Sequence, residues 1–433
     1  MNGTIRFKLF LMMVLEFFIW GCWLPLIYGY LPSLGFNATQ RSLILSAFPV
    51  AAIVGMFFST QYADRNFAAE RFLGFSHLVG GIAILLLAFT TSFWPFFWLM
   101  LLHCLLYVPT ISIANSVAFA NMKDAQKEFG LIRVGGTIGW ILAAWPFTFI
   151  LVDWNAVHKA NPSGAIEWLR TVLGSGLTGQ PLMDATKWTF LVAGVASIVL
   201  AAFSLTLPHT PPKKVAANEE KLAWLEAAKL LRHPFVLVLW LVTLIDAFVL
   251  YCYFNWTGMF LVADAKGGGV GIAGNWVMPV MSIGQLAEML TMFILGATLK
   301  RLGWRTTMVI GILGHTARFA VYSFAPTPAL VTIIQLIHGV CYAFFFATVY
   351  IFVDDYLPKS IRSSAQGLFN AVFLGVGALL ANWICPWLLQ NVFTHGKAVD
   401  FHGLFLVPLA AATVAALALG LFFHPPPKPQ TQS

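Results

Sequence analysis

Gly296-Ala-Thr-Leu-Lys-Arg-Leu-Gly-Trp-Arg305 is a charged turn at the junction of two apolar runs, about 275–299 and 306–325. Each run has about the 20 apolar residues needed to cross a hydrocarbon core. Backbone groups in lipid must bond within their own segment, so each run is predicted to be a helix. Lys300, Arg301 and Arg305 then mark a membrane surface. Working outward, the same order appears earlier in the chain. A second apolar run, 41–62, ends at Asp64-Arg65, followed by Arg71. Further along each half, an Ile-Arg pair and small residues open a helix. One is Leu131-Ile-Arg133-Val-Gly-Gly-Thr-Ile-Gly-Trp140, the other Ser360-Ile-Arg362-Ser-Ser-Ala-Gln-Gly-Leu-Phe369.

The remaining runs complete the pattern: 8–31, 72–90, 95–118, 131–152, 188–207, 235–262, 329–353, 362–389 and 402–423. Twelve transmembrane helices are therefore expected, six on each side of a polar stretch at 208–233. That stretch holds Pro208, Pro211, Pro212, Lys213 and Lys214 and reads as a linker between halves 1–207 and 234–433. Residues 153–187 read as an external loop. Arg6 and Lys8 ahead of an apolar stretch suggest a signal peptide. The stretch continues to about Leu31, contains Glu16 and lacks a small-x-small cleavage site, so it is read as a retained first helix.

Composition agrees. The chain is 59% hydrophobic and 10% charged, with mean hydropathy +0.80. Soluble domains carry about 25% charged residues, because their surface needs polar cover. The net charge of +8 does not point to nucleic acid, since the basic residues sit in short loops. With the N-terminus inside, Arg65, Arg71, Lys123, Lys127, Lys300, Arg301 and Arg305 fall on the inner side with the linker lysines. Arg41, Lys159, Arg170, Lys187, Lys266 and Lys397 fall outside. The positive-inside bias thus predicts cytoplasmic termini and a cytoplasmic linker in a multi-pass protein of a bacterial inner membrane.

The five cysteines, Cys22, Cys104, Cys252, Cys341 and Cys385, are dispersed in apolar runs with no CxxC pair. No disulfide framework, structural zinc or other metal site is expected. A phosphate-binding GxxxxGK[ST], an HExxH pair and a GxSxG elbow are absent from the sequence, so neither ATP-driven transport nor an enzyme is indicated, and no cofactor.

Ionisable residues inside a membrane are functional hypotheses by default. The deep acids are Glu16, Asp246 and Glu288. Glu288 lies mid-helix, and Gln285 three residues earlier shares its face. An amide beside a carboxylate suits a polyol or a base edge, and the carboxylate is the leading proton-coupling candidate, with Asp246 and Glu16 behind it. Arg133, Thr137 and Trp140 form one stripe at i, i+4 and i+7. Arg133 also fits a snorkelling residue at the helix end. Tyr251, Phe254 and Asn255 share a face of the seventh helix, while Tyr342, Phe344, Phe345 and Phe346 form an aromatic run that cannot all face one cavity. Arg318 suits pairing with an acid, and His77, His103, His315 and His338 suit hydrogen-bonded packing or proton transfer.

Parallel six-helix repeats are the plan of the major facilitator superfamily. Gly296–Arg305 resembles its loop motif, G-x-x-x-(D/K)-R-x-G-R-(R/K), whose earlier copy at Thr60–Arg65 lacks the leading glycine. The chain also resembles that superfamily's nucleoside:proton symporter family. The resemblance rests on Trp20-Gly-Cys-Trp23, Tyr107-Val-Pro-Thr110 with Asn115, Ile132-Arg-Val-Gly-Gly-Thr-Ile-Gly139 and Thr206-Leu-Pro-His209. It continues through Ser282-Ile-Gly-Gln-Leu-Ala-Glu288, Ala317-Arg-Phe319 and Ile361-Arg-Ser-Ser-Ala-Gln-Gly-Leu-Phe369. It implies nucleoside import driven by a proton gradient, with Arg133, Thr137, Gln285 and Glu288 lining the site and Trp140 matching the family's aromatic in kind.

The chain departs from that family where the seventh helix carries Tyr251 and Phe254 in place of a glutamine and an asparagine, and where the tenth carries Ala343 in place of an acid. Protonation then falls to Glu288, alone or with Asp246 or Glu16. The expected mechanism is alternating access of a monomer about a midplane site. The base stacks on Trp140, Tyr251 or Phe344, and the ribose bonds Gln285 and Glu288. A carrier of another polyol such as a sugar, a facilitator and a transport-dead membrane sensor are the alternatives.

Overall fold

The computed structural model describes residues 3–122, 125–212, 229–356, 365–366, 368–396 and 398–425, apart from the side chains of 56–65, 125–130 and 354. Most of the linker, at 213–228, and the Arg362 entry lie outside the described residues. The membrane helices before the linker are α1 (Gly3–Ser33), α2 (Ala38–Leu45) with α3 (Ala47–Asn66), α4 (Ala69–Leu87), α5 (Phe93–Ala120) and α6 (Ala125–Ala144). A short α7 (Phe147–Ile150) ends α6. The polar stretch expected to be loop contains three short helices, α8 (Trp154–Ala160), α9 (Ala165–Gly174) and α10 (Gly179–Ala185), before α11 (Lys187–Ser204). The Asp153 carboxylate caps α8 by accepting from the Ala156 N–H, a local start signal independent of apolar length.

After the linker come α12 (Pro234–Val262), α13 (Val277–Phe324), α14 (Pro328–Val353), α15 (Leu368–Asn391) and α16 (Phe401–Phe422). At 1.5 Å per residue, the 48 residues of α13 would reach about 72 Å, more than twice a hydrocarbon core. Gly303 divides it into two arms, with φ 72° and ψ 174° inside otherwise helical backbone. Only glycine adopts that conformation without strain. Ten segments among the described residues are long and apolar enough to span, one of them holding both arms. α6 lies on the fifth predicted run, so each of the twelve runs falls on helix.

The chain is apolar outward and polar inward, as lipid demands. Phe293, Phe89 and Leu421 are 77%, 69% and 64% exposed, whereas Glu16, Asp246 and Arg318 are fully buried. All five cysteines are free and buried.

Within the first half, α1 packs on α6 and α11, and α4 on α5 and α11. Within the second, α13 packs on α14 and α16, and α12 on α15 and α16. Across the halves, α6 meets α13, α2 meets α15 and α1 meets α12. The α1–α6 contact explains the glycines after Arg133. A Cβ on Gly139 would collide with the Val14 carbonyl, so only glycine lets the two backbones approach this closely.

At the bundle end opposite residue 3, hydrogen bonds join the halves. The Gln390 Oε1 accepts from the Ala38 N–H at 2.9 Å and from Arg41 Nη2 at 2.8 Å. Trp383 Nε1 donates to Ser46 Oγ at 3.0 Å. Trp276 Nε1 donates to the Leu173 carbonyl at 2.8 Å.

Candidate functional site

The close α1–α6 contact sets the first wall of a central site. It brings Phe17 beneath Arg133, whose guanidinium carbon lies 4.3 Å from the ring centroid. One turn later it brings Trp20 edge-on to Trp140, at 5.1 Å between centroids. Arg133 is thus held by a cation–π contact pointing into the bundle, and does not behave as a free end-of-helix residue.

The first arm of α13 faces it. Gln285 and Glu288 lie three residues apart on this arm and both are partly accessible, and Gly339 of α14 packs on the Glu288 backbone. Glu288 feels the charge of Arg133, without a direct ion pair. Tyr342 on α14 feels both charges and is coupled to Tyr251 on α12. Among the described residues, Arg133, Thr137, Gln285 and Glu288 form no hydrogen bond with one another or with a neighbour. Arg133 and Glu288, from the two halves and within reach of each other's charge, keep open hydrogen-bonding capacity that a polar ligand can use.

Next to Trp20 is a small cavity of about 20 Å³, lined among others by Trp20, Trp23, Tyr28, Phe48, Tyr251 and Asn382. Its walls are mainly apolar, aliphatic and aromatic, and Trp20 connects it to Trp140. Tyr251 lines it directly, and Phe254 packs beside Tyr251 at 6.1 Å between centroids. Asn255 is spent elsewhere. It donates to the Tyr251 carbonyl at 2.9 Å and to Asn382 Oδ1 at 3.1 Å, while Asn382 donates to the Leu45 carbonyl at 2.7 Å.

Three sequence candidates lie apart. Phe344 is buried in a small apolar cluster with Leu295, Ala343 and Ala347. The aromatic that α14 turns toward Glu288 is Tyr342, at the start of a π-helical stretch, Tyr342–Ala347. Such a stretch shifts the facing of the residues after it, which the simple helical period does not anticipate. Glu16 is enclosed by the first half, with His77 Nε2 2.8 Å from one oxygen and Thr110 Oγ1 donating to the other at 2.7 Å. Asp246 lies beside His315 in the second half. Phe17 and Trp20 carry no polar signal in the sequence that marks them as neighbours of Arg133 and Trp140. Trp20 stood in the quoted Trp20–Trp23 motif, and Phe17 precedes it by one turn.

The family model described as nucleoside H+ symporter matches residues 3–167 and 162–428. The chain belongs to the nucleoside H+ symporter family. Among its relatives, the putative nucleoside transporter YegT of Escherichia coli is 28% identical, over 96% of this chain and 93% of that one. The xanthosine permease of Escherichia coli is 27% identical, over 97% of this chain and 96% of that one. The crystal structure of nucleoside transporter NupG superposes with a TM-score of 0.79 at 23% identity, covering 98% of this chain and 100% of that one. The D-xylose-proton symporter matches at 0.70 with 14% identity, covering 97% of this chain and 98% of that one, so this member of the nucleoside H+ symporter family has the major facilitator fold.

Proposed function

We propose that this chain imports nucleosides together with protons across a bacterial inner membrane by alternating access. The observation that carries the reading is the approach of Arg133 on α6 to Glu288 on α13, with Thr137 and Gln285 one turn away on the same two helices. Guanidinium, hydroxyl and amide suit the hydroxyls of a ribose and the edge of a base. Trp20, edge-on to Trp140, and Tyr251 offer aromatic faces on which a base can stack once the halves move apart. The family membership supports nucleosides as cargo and protons as driving ion. The loop charges support cytoplasmic termini, and a monomer suffices because one chain carries both walls.

Glu288 is assigned the coupling role. Ionised, it is a charge facing a low-dielectric interior; protonation removes that charge and lets the loaded carrier turn. Labelled uridine and adenosine are offered to proteoliposomes with and without an inward proton gradient. Accumulation that a protonophore collapses, and that Glu288→Gln loses while retaining exchange, is the expected result. Equilibration without accumulation in the native chain establishes a facilitator instead. Displacement of uptake by sugars better than by nucleosides overturns the cargo.

A further inference from the structure

Ionisable side chains meet a second time, inside the C-terminal half. Asp246 comes from α12, His315 and Arg318 from the second arm of α13, and His338 from α14. Asp246, His315 and Arg318 are fully buried, and His338 nearly so. The group is assembled but not closed. His315 Nε2 stands 3.8 Å from Asp246 Oδ2, beyond hydrogen-bonding distance. The Arg318 guanidinium carbon rests 4.4 Å from the centroid of the Tyr253 ring, and Arg318 Nη2 approaches Cys341 Sγ at 4.0 Å. Both Asp246 oxygens, both His315 nitrogens, Arg318 Nε and Nη1 and His338 Nδ1 reach no hydrogen-bond partner.

Buried polar atoms are normally paired, and the adjacent groups show that this core can pair them. Gln335 donates to the Tyr322 hydroxyl at 2.7 Å and accepts from the Tyr253 hydroxyl at 3.0 Å. Satisfied and open groups thus lie side by side. A cluster serving only to hold helices together has no reason to leave an acid and an imidazole just out of reach.

The surroundings add few competing charges. Arg318 acts on Asp246, His315 and His338, and on Tyr253, Tyr322 and Cys341. α15 brings Cys385 against Cys252, and α16 brings His402, which is bonded to the Ser323 carbonyl at the helix end. α1 brings Tyr28 toward Tyr251. The first arm of α13 brings Glu288, and α14 forms the link. A Cβ on Gly284 would lie 2.8 Å from that of His338, and Gly339 packs on the Glu288 backbone.

We propose that Asp246 and His315 are a second proton-holding pair, with Arg318 as fixed countercharge and α14 as the connection to Glu288. This rests on the proton-symport reading. A hydronium ion gives its proton to the Asp246 carboxylate, breaking one O–H bond, forming another and leaving water. The neutral acid then donates to His315 Nε2, closing the gap, and release reverses the step. Arg318 keeps its charge over Tyr253 throughout.

The test uses the full chain in proteoliposomes, reading protons taken up per nucleoside with an internal pH dye, and nucleoside exchange without a gradient. Asp246→Asn and His315→Gln are each expected to lose proton uptake per nucleoside and to shift the pH profile, with exchange still measurable. An unchanged ratio and profile in either folded variant overturns the pair. A direct reading covers the case in which neither variant folds. In Glu16→Gln/Glu288→Gln protein, a pH-difference infrared spectrum is expected to retain a carboxylic-acid band that exchanges slowly in deuterated water, as the buried Asp246 requires and exposed acids do not, and its absence overturns the proposal. A native chain that moves no nucleoside overturns the transport reading instead, while the infrared band still decides this one.

Discussion

Arg133 rests on the ring of Phe17, 4.3 Å from its centroid, and not against Glu288, whose charge it senses from the facing half of the bundle. A direct ion pair would bind the halves together and hide both groups. Holding the guanidinium on a neutral ring keeps it oriented and leaves its N–H groups free for a ligand. Phe17→Leu removes the platform and keeps the volume. The loss is about 1 kcal/mol, so the apparent affinity for uridine is expected to fall about fivefold, with little change in maximal rate. Uptake kinetics in proteoliposomes measure it; an unchanged KM sinks the role given to Phe17.

Gln390 ties α15 to two groups at the start of α2 through a single carbonyl oxygen. Each bond is worth about 1 kcal/mol, more for the charged donor. Gln390→Ala is expected to shift the population toward an opening at that end by about tenfold or more. A cysteine introduced at Ile44, in the cavity wall, reports this as faster alkylation by a polar maleimide in the variant. Equal rates mean that the seal lies elsewhere.

Gly139 faces the Val14 carbonyl across the α1–α6 contact. Gly139→Val forces these helices apart and is expected to cost about 3 kcal/mol, the upper end of overpacking penalties. Thermal unfolding in detergent reads the loss. The same variant is expected to weaken nucleoside binding, because Phe17 and Trp20 reach the site only through that approach.

Glu16 is engaged on both oxygens, by His77 and by Thr110, and Tyr107 donates to its backbone carbonyl at 2.6 Å. These partners make it a scaffold of the first half. Glu16→Gln, which keeps the shape and most of the bonds, is expected to keep gradient-driven accumulation. Glu16→Ala leaves the buried Nε2 of His77 unpaired, its Nδ1 still bonded to Ser197, and is expected to cost about 3 kcal/mol of stability. Loss of accumulation in a fully folded Glu16→Gln protein would falsify the scaffold role and return Glu16 to the coupling candidates.

The helices were legible because lipid imposes one rule on every residue of a span: apolar runs near membrane length must be helix. Even the Gly303 break was foreshadowed by Lys300, Arg301 and Arg305. The short helices at 154–185 were not, since capping and amphipathic packing determine them, and hydropathy does not register either. Arg133, Thr137, Gln285 and Glu288 stand out in the sequence by being polar where lipid forbids it, and the structure brings Arg133 and Glu288 within reach of each other's charge. Aromatic residues carry no such contrast in a chain with 39 phenylalanines and 16 tryptophans. Choosing Tyr342 over Phe344 required the π-helical register, and finding Phe17 required knowing that glycines draw α1 onto α6. The pairing of Glu16 with His77 joins residues 61 positions apart, which helical spacing cannot reveal.

The seclusion of Cys22, Cys104, Cys252, Cys341 and Cys385 has a practical side. The natural chain presents a thiol-silent exterior. With Cys104, which lines the cavity beside Trp20, replaced by alanine, one engineered cysteine becomes the sole anchor for a spin label or fluorophore, and opening and closing of the two halves is measurable by spectroscopy.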